Sequence, residues 1–291
     1  MHPKAVASCN DTISHLGDDL ETDAGALLED GAVVSFCGSL SPSEALTDPG
    51  GPDFSLQHDG CMTRFGFSSI PFIQSYSGCV LDQTYCVAER LLLVRMPRTR
   101  DLLASVGVDT TVLSAMHDCL PNENGSGVLN GSDPKPGKAL LACEKSEVKA
   151  GGSFVAKARG ACAKCADAVM SCAQLTPTQK CIDSAAKTCT KAVATADAAQ
   201  GKLATAVGKA CGKIPLDDLL NADGGDVSAL APLCTSVGVT LTTLADYGTC
   251  LAKYERCQVE DSVDFTVPRI EEFFTATSQP SPFNSAFCPA P

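Results

Sequence analysis

The chain contains no tryptophan, and aromatic residues make up only 5% of its 291 residues. A core must therefore be assembled from Ala, Leu and Val, of which Ala and Leu favour helix. Strictly alternating β-branched runs are scarce, so the signature of a sheet is missing too. These shortages point to an all-α fold. No run of 18 apolar residues occurs, and no membrane span is expected. The first thirty residues lack an apolar h-region, and acids crowd positions 18 to 30. The expectation is a mature chain, read after any export leader has been removed.

The usual chemistry is equally sparse. The four histidines, His2, His15, His58 and His117, show no metal-ligand spacing. No G-x-S-x-G, P-loop or C-x-x-C-H motif occurs. One C-x-x-C, Cys162 to Cys165, lies within an Ala/Lys run rather than after a strand, and zinc would need a second such pair. No catalytic, cofactor-binding or metal residue is assigned, no cofactor is expected, and the chain is not read as an enzyme. A net charge of −12 argues against nucleic acid as a partner.

What the chain does have is 17 cysteines, a load typical of compartments where disulfides persist. It also repeats itself. YSGCVLDQTYCVAERLLLVRMPRTRD begins at Tyr76, and YGTCLAKYERCQVEDSVDFTVPRIEE begins at Tyr247. Tyr76, Cys79, Cys86, Glu89, Pro97 and Arg98 match Tyr247, Cys250, Cys257, Glu260, Pro268 and Arg269 at an offset of 171. Cys61 and Cys119 fall near Cys234 and Cys288, and Cys9 and Cys37 near Cys181 and Cys211. The domain reading is a module at 1–120, a Gly/Asn/Ser/Pro-rich linker at 121–138, and a module at 139–291. The second module divides into a hairpin, 139–211, and a C-terminal part, 212–291.

Two Ala/Lys-rich helices are expected in the hairpin, at 139–173 and 178–211, with Gly151-Gly152 as an interruption of the first. In an antiparallel helix pair, facing residues have a constant sum of residue numbers. Those of Cys143 and Cys211 add to 354, as do those of Cys165 and Cys189, and those of Cys172 and Cys181 add to 353. Three nested disulfides between these pairs follow. The sulfurs of each C-x6-C pair sit about 10 Å apart along a helix, too far to bond each other. Cys79 and Cys86 would bond among Cys61 and Cys119. Cys250 and Cys257 would bond among Cys234, Cys288 and Cys162. The favoured set is Cys61–Cys79, Cys86–Cys119, Cys234–Cys250 and Cys257–Cys288. Cys9, Cys37 and Cys162 are left as thiols or intermolecular partners. The repeated Glu, Pro and Arg residues read as a structural corner, with the prolines ending the helices.

In the first module, residues 9–37 correspond to the second hairpin helix, and its partner helix is lacking. Residues 138–213 carry 12 Lys+Arg against 5 Asp+Glu, whereas residues 11–30 carry seven acids and no Lys or Arg. This complementarity makes a second copy an expected partner, head to tail, with basic hairpin meeting acidic N-terminal segment; the same two segments docking within one chain is the equal alternative.

The pattern FVAKARGACAKCADAVMSC, KCIDSAAKTC and KACG, followed by DLL, resembles Cys/Lys-rich helical repeat modules of uncharacterised secreted proteins of deltaproteobacterial type. The segment at Tyr76 is similar to an element that accompanies them. The resemblance implies export from a bacterium and a helical disulfide architecture, and no activity. The functional expectation is a secreted or cell-surface structural protein that self-assembles into a filament or surface layer. The alternatives are a Cys-lined helical Cu(I) store, since Cu(I) favours soft ligands, and a secreted small-ligand-binding module.

Overall fold

The structure, a computed structural model, describes Cys61 and residues 73–99, 135–175 and 177–283. Among these residues there is no strand. The chain is all-α, and among the described residues no helix is long and apolar enough to cross a membrane. The elements are α1 (Ile73–Arg95), α2 (Lys135–Leu175), α3 (Gln179–Cys211), α4 (Leu216–Leu220), a 3-10 turn (Val227–Leu230), α5 (Ala231–Ser236), α6 (Leu244–Thr266) and α7 (Ile270–Ala276). Cys9, Cys37, Cys119, Cys288 and the acidic segment 11–30 lie outside the described residues.

Local chemistry accounts for the helix limits. α2 starts at Lys135, so the last residues of the sequence-read linker are helical; Pro136 sits in the first turn, where its missing N–H costs nothing. α2 then runs unbroken to Leu175, which corrects the expected interruption at Gly151-Gly152. Packing outweighs the weak helix propensity of glycine there, and Gly151 has a steric role described below. At α6, Thr243 and Asp246 form a reciprocal cap. The Thr243 N–H donates to Asp246 Oδ2 at 2.8 Å, and the Asp246 N–H donates to Thr243 Oγ1 at 3.1 Å. These bonds, with Thr242 also donating, hold the Asp246 carboxyl below its ordinary value. α1 and α6 each end two residues before a proline, Pro97 and Pro268, as pre-proline sterics favour.

The described residues group into two compact units. The first takes α1 up to Tyr85, α2 from Arg159, α3 up to Thr195, α6 from Glu260, and α7. Its core holds Tyr76, Val80, Val169, Met170, Ile270 and Phe274, with Phe274 and Phe283 edge to face at 5.7 Å. Three disulfides belong to it: Cys61–Cys79, Cys165–Cys189 and Cys172–Cys181, with Cα separations of 5.7, 4.5 and 5.6 Å. The second unit takes α1 from Cys86, α2 up to Ala158, α3 from Ala196, α4, the 3-10 turn, α5, and α6 up to Val259. Leu91, Val94, Phe154, Leu203, Leu219 and Leu251 are buried in it. Cys143–Cys211 and Cys234–Cys250 bridge it at Cα separations of 4.7 and 5.1 Å.

The sequence repeat and the units divide the chain differently. α1 and α6 are both 23 residues long, and their first residues, like their last, differ by 171. Tyr76 donates to the carbonyl oxygen of Phe265 at 2.8 Å. Tyr247 donates to that of Val94 at 3.4 Å. Phe265 and Val94 are themselves equivalent positions. Each unit therefore contains the Tyr from one copy of the repeat bonded to the helix end of the other copy. The repeated tyrosine is a buried anchor, 0% exposed at Tyr76 and 1% at Tyr247.

Candidate functional site

The second unit buries several charged side chains that could not lie there unless compensated. The pattern starts on α2, where Glu147 is one turn beyond Cys143 and so shares its face. Glu147 is 1% exposed. Its Oε1 lies 3.2 Å from Cys211 Sγ and 3.5 Å from Cys143 Sγ, touching both sulfurs of that bridge. Its Oε2 accepts from the Tyr247 hydroxyl at 3.2 Å, sharing that one O–H with the Val94 carbonyl. Burial pushes the Glu147 carboxyl up to about 8; the Tyr247 bond opposes the rise, and neighbouring Glu144 and Glu255 add to it. At neutral pH the group is a carboxylic acid. A disulfide carries no S–H, so the protonated carboxyl is the donor toward sulfur.

Three further groups complete the cluster. Glu144, also buried, is pushed up to about 7 by burial, against the pull of Arg98. Arg98 donates from Nη1 to the carbonyl oxygen of Gly224 at 3.0 Å. Arg95 donates from Nε to Glu255 Oε1 at 2.7 Å, with the side chains 9% and 0% exposed. Arg95 Nη2 and Glu255 Oε2 have no hydrogen-bond partner. Burial raises the Glu255 carboxyl above its ordinary value, and Arg95 resists the rise. Tyr247 is raised well above the usual phenol range, first by burial and then by Glu147.

Glycine makes room for this. A Cβ on Gly151 would fall 2.6 Å from Arg95 Cζ and 2.7 Å from Glu255 Oε1, so α2 must present bare backbone to the ion pair. Gly224 and Gly225 serve the corner at Arg98. The Gly225 N–H bonds the Asp218 carbonyl at 3.1 Å, and a Cβ there would fall 2.7 Å from the Leu219 oxygen.

Of the residues singled out from the sequence, the structure joins Cys143 to Cys211, Cys165 to Cys189, Cys172 to Cys181, Cys61 to Cys79 and Cys234 to Cys250. Cys86 and Cys257 are disulfide-bonded as well, and their expected partners Cys119 and Cys288 lie outside the described residues. Cys162 is a buried thiol. Arg269 pairs with Glu272 at 2.6 Å on the surface, whereas its counterpart Arg98 is buried. Glu260 is buried and Glu89 half-buried. Sequence reasoning passed over Glu144, Glu147, Arg95 and Glu255. The one signal was two acids one and four residues beyond a cysteine, in a helix otherwise rich in Lys and Ala.

Cys143, Glu147 and Cys211 offer donor atoms within 4.8 Å of one another, the spacing of a metal site. The two sulfurs are bonded to each other, however, and a disulfide presents no thiolate to a metal. The cluster is arranged to hold protons and fix helix positions. No family model matches the chain, and no curated protein or solved structure does either. The disulfide-rich, all-helical chain is compatible with an extracellular setting.

Proposed function

We propose that this chain is an extracellular structural protein, secreted by a bacterium, that self-assembles head to tail into a filament or surface layer. The observation that carries the structural reading is the stapling of a single helix pair. α2 and α3 are joined by three disulfides, at Cys143–Cys211, Cys165–Cys189 and Cys172–Cys181. Nested bridges overlap in their restriction of the unfolded chain, so they fix register more than they add as separate stabilisers. Fixed register suits a part that carries load. The acids of the cluster support the same reading, because they are buried rather than presented to a substrate.

Self-assembly is supported by the division of charge. The lysines of α2 and α3 are all exposed, while Glu144 and Glu147 are buried, so the hairpin surface is more basic than its sequence composition. Residues 11–30 supply the opposite sign. Peptide mapping under non-reducing conditions, together with sedimentation over a range of concentrations, tests both parts. Bridged Cys165–Cys189 and concentration-dependent oligomers are expected; abundant thiols or a strict monomer would overturn the respective part.

A second reading, a Cu(I) store, has the grouped donors of Cys143, Glu147 and Cys211 in its favour. It requires those sulfurs as thiols, and a thiol count on the native protein separates the two. Among the described residues, the cleft between α2 and α3 does not favour the ligand-binding alternative. This cleft in the second unit has a volume of about 180 Å³, below the roughly 300–1,000 Å³ of small-molecule sites.

A further inference from the structure

That cleft lies between α2 and α3, midway along each helix between the cysteines of two staples. Phe154 and Leu203, 2% and 1% exposed, make its floor. Ala150, Ala199 and Ala206 line its walls, and Lys157 and Lys202 stand exposed at its mouth. Its origin is plain: staples hold the two helices together, and alanines between them are too small to fill the gap. The result is an apolar slot rimmed by cations.

The electrostatic setting is one-sided. Within the second unit, α2 and α3 expose seven lysines and a single acid, Asp197, which pairs with Arg256 at 3.9 Å. The other two acids of these segments, Glu144 and Glu147, are buried. A slot of about 180 Å³ takes an anchoring aliphatic side chain better than a whole small molecule. The complementary ligand is a peptide with a leucine flanked by carboxylates. Residues 11–30 hold one: Leu20 follows Asp18-Asp19 and precedes Glu21.

We propose that the Phe154/Leu203 cleft is a socket for the acidic segment around Leu20 of a second copy of this chain, with Lys157 and Lys202 pairing its carboxylates. The proposal rests on the self-assembly reading and names the contact that would drive it. Rim pairs of this kind steer encounter and select partners, and their strength falls with salt.

The test is sedimentation velocity on the full chain across concentration, for the parent, for Lys157→Glu with Lys202→Glu, and for Lys187→Glu with Lys191→Glu as a control on exposed α3 lysines away from the cleft. Far-UV circular dichroism verifies the fold of each. The cleft reversal is expected to raise the dissociation constant about tenfold, since each exposed pair is worth little but attraction turns into repulsion. The control should match the parent. Adding Asp18→Lys, Asp19→Lys and Glu21→Lys to the cleft reversal should restore assembly, which loss of fold could not do. If the cleft variant assembles like the parent, the socket is overturned while self-assembly stands through another surface. If the parent stays monomeric throughout, self-assembly fails and the socket's second-copy occupant fails with it.

Discussion

Replacing Glu147 with Gln should make the protein more stable as pH rises, and by a calculable amount. Glu147 has a carboxyl near 4.5 ordinarily and about 8 in the fold. Below about pH 4.5 both folded and unfolded chains carry the proton, and its contribution to stability is fully present. Above that, the unfolded chain releases the proton and the folded chain keeps it, so stability drains away until pH passes about 8. One pH unit of difference corresponds to about 1.4 kcal/mol. Glu147 thus costs about 3 kcal/mol at pH 7, and ~5 kcal/mol above pH 8, out of a usual total of roughly 5–15 kcal/mol. Glu144 and Glu255 shift in the same direction and add to the trend. Gln keeps the shape and accepts from Tyr247 but does not titrate. The assay is urea unfolding with disulfides intact, followed by circular dichroism from pH 4 to pH 7.5. The quantity read is the difference between variant and parent, so that pH-independent changes in packing cancel. That difference should swing by about 3 kcal/mol in favour of Gln between pH 4 and pH 7. A difference that stays flat would mean Glu147 titrates as though in water, and the burial argument would be wrong.

Adjacent glycines should respond in opposite directions. Gly151→Ala drives a methyl into the Arg95–Glu255 pair and should destabilise by about 1–3 kcal/mol, while Gly152→Ala meets nothing and should stabilise by about 0.5–1 kcal/mol, both read from urea midpoints. Arg95→Ala strands the Glu255 carboxylate and should cost about 3–5 kcal/mol; Arg95→Met with Glu255→Leu should cost much less, and equal losses would show that the charge is not what matters. Tyr76→Phe removes one hydrogen bond to Phe265 and should lower stability by about 1 kcal/mol in thermal unfolding, with no pH dependence between pH 4 and pH 7.

The all-α class could be read from composition because Ala, Leu and Lys leave few other choices. The hairpin sulfurs could be read from numbering, because an antiparallel pair converts contact into a constant sum; the pairs so named are pairs the structure joins. The repeat was equally plain as a list of equivalent residues. What alignment could not show is who touches whom: equivalence places Tyr76 beside Tyr247 on paper, while each bonds the far end of the other's helix. Glu144 and Glu147 looked like ordinary surface acids, since charge counting has no access to helix phase against a neighbour. The Gly151-Gly152 expectation failed for a related reason. Propensity judges a glycine by its own backbone, and here the deciding atoms belong to Arg95 and Glu255. The expectations for Cys9, Cys37, Cys119 and Cys288 concern residues outside those described.

The exchanged tyrosine bonds mean that neither copy of the repeat is a self-sufficient part. Each compact unit draws one end of α1 and one end of α6, so a gene fragment encoding a single copy would specify half of two cores and the whole of none. A substitution at either tyrosine is therefore felt at the helix end of the other copy.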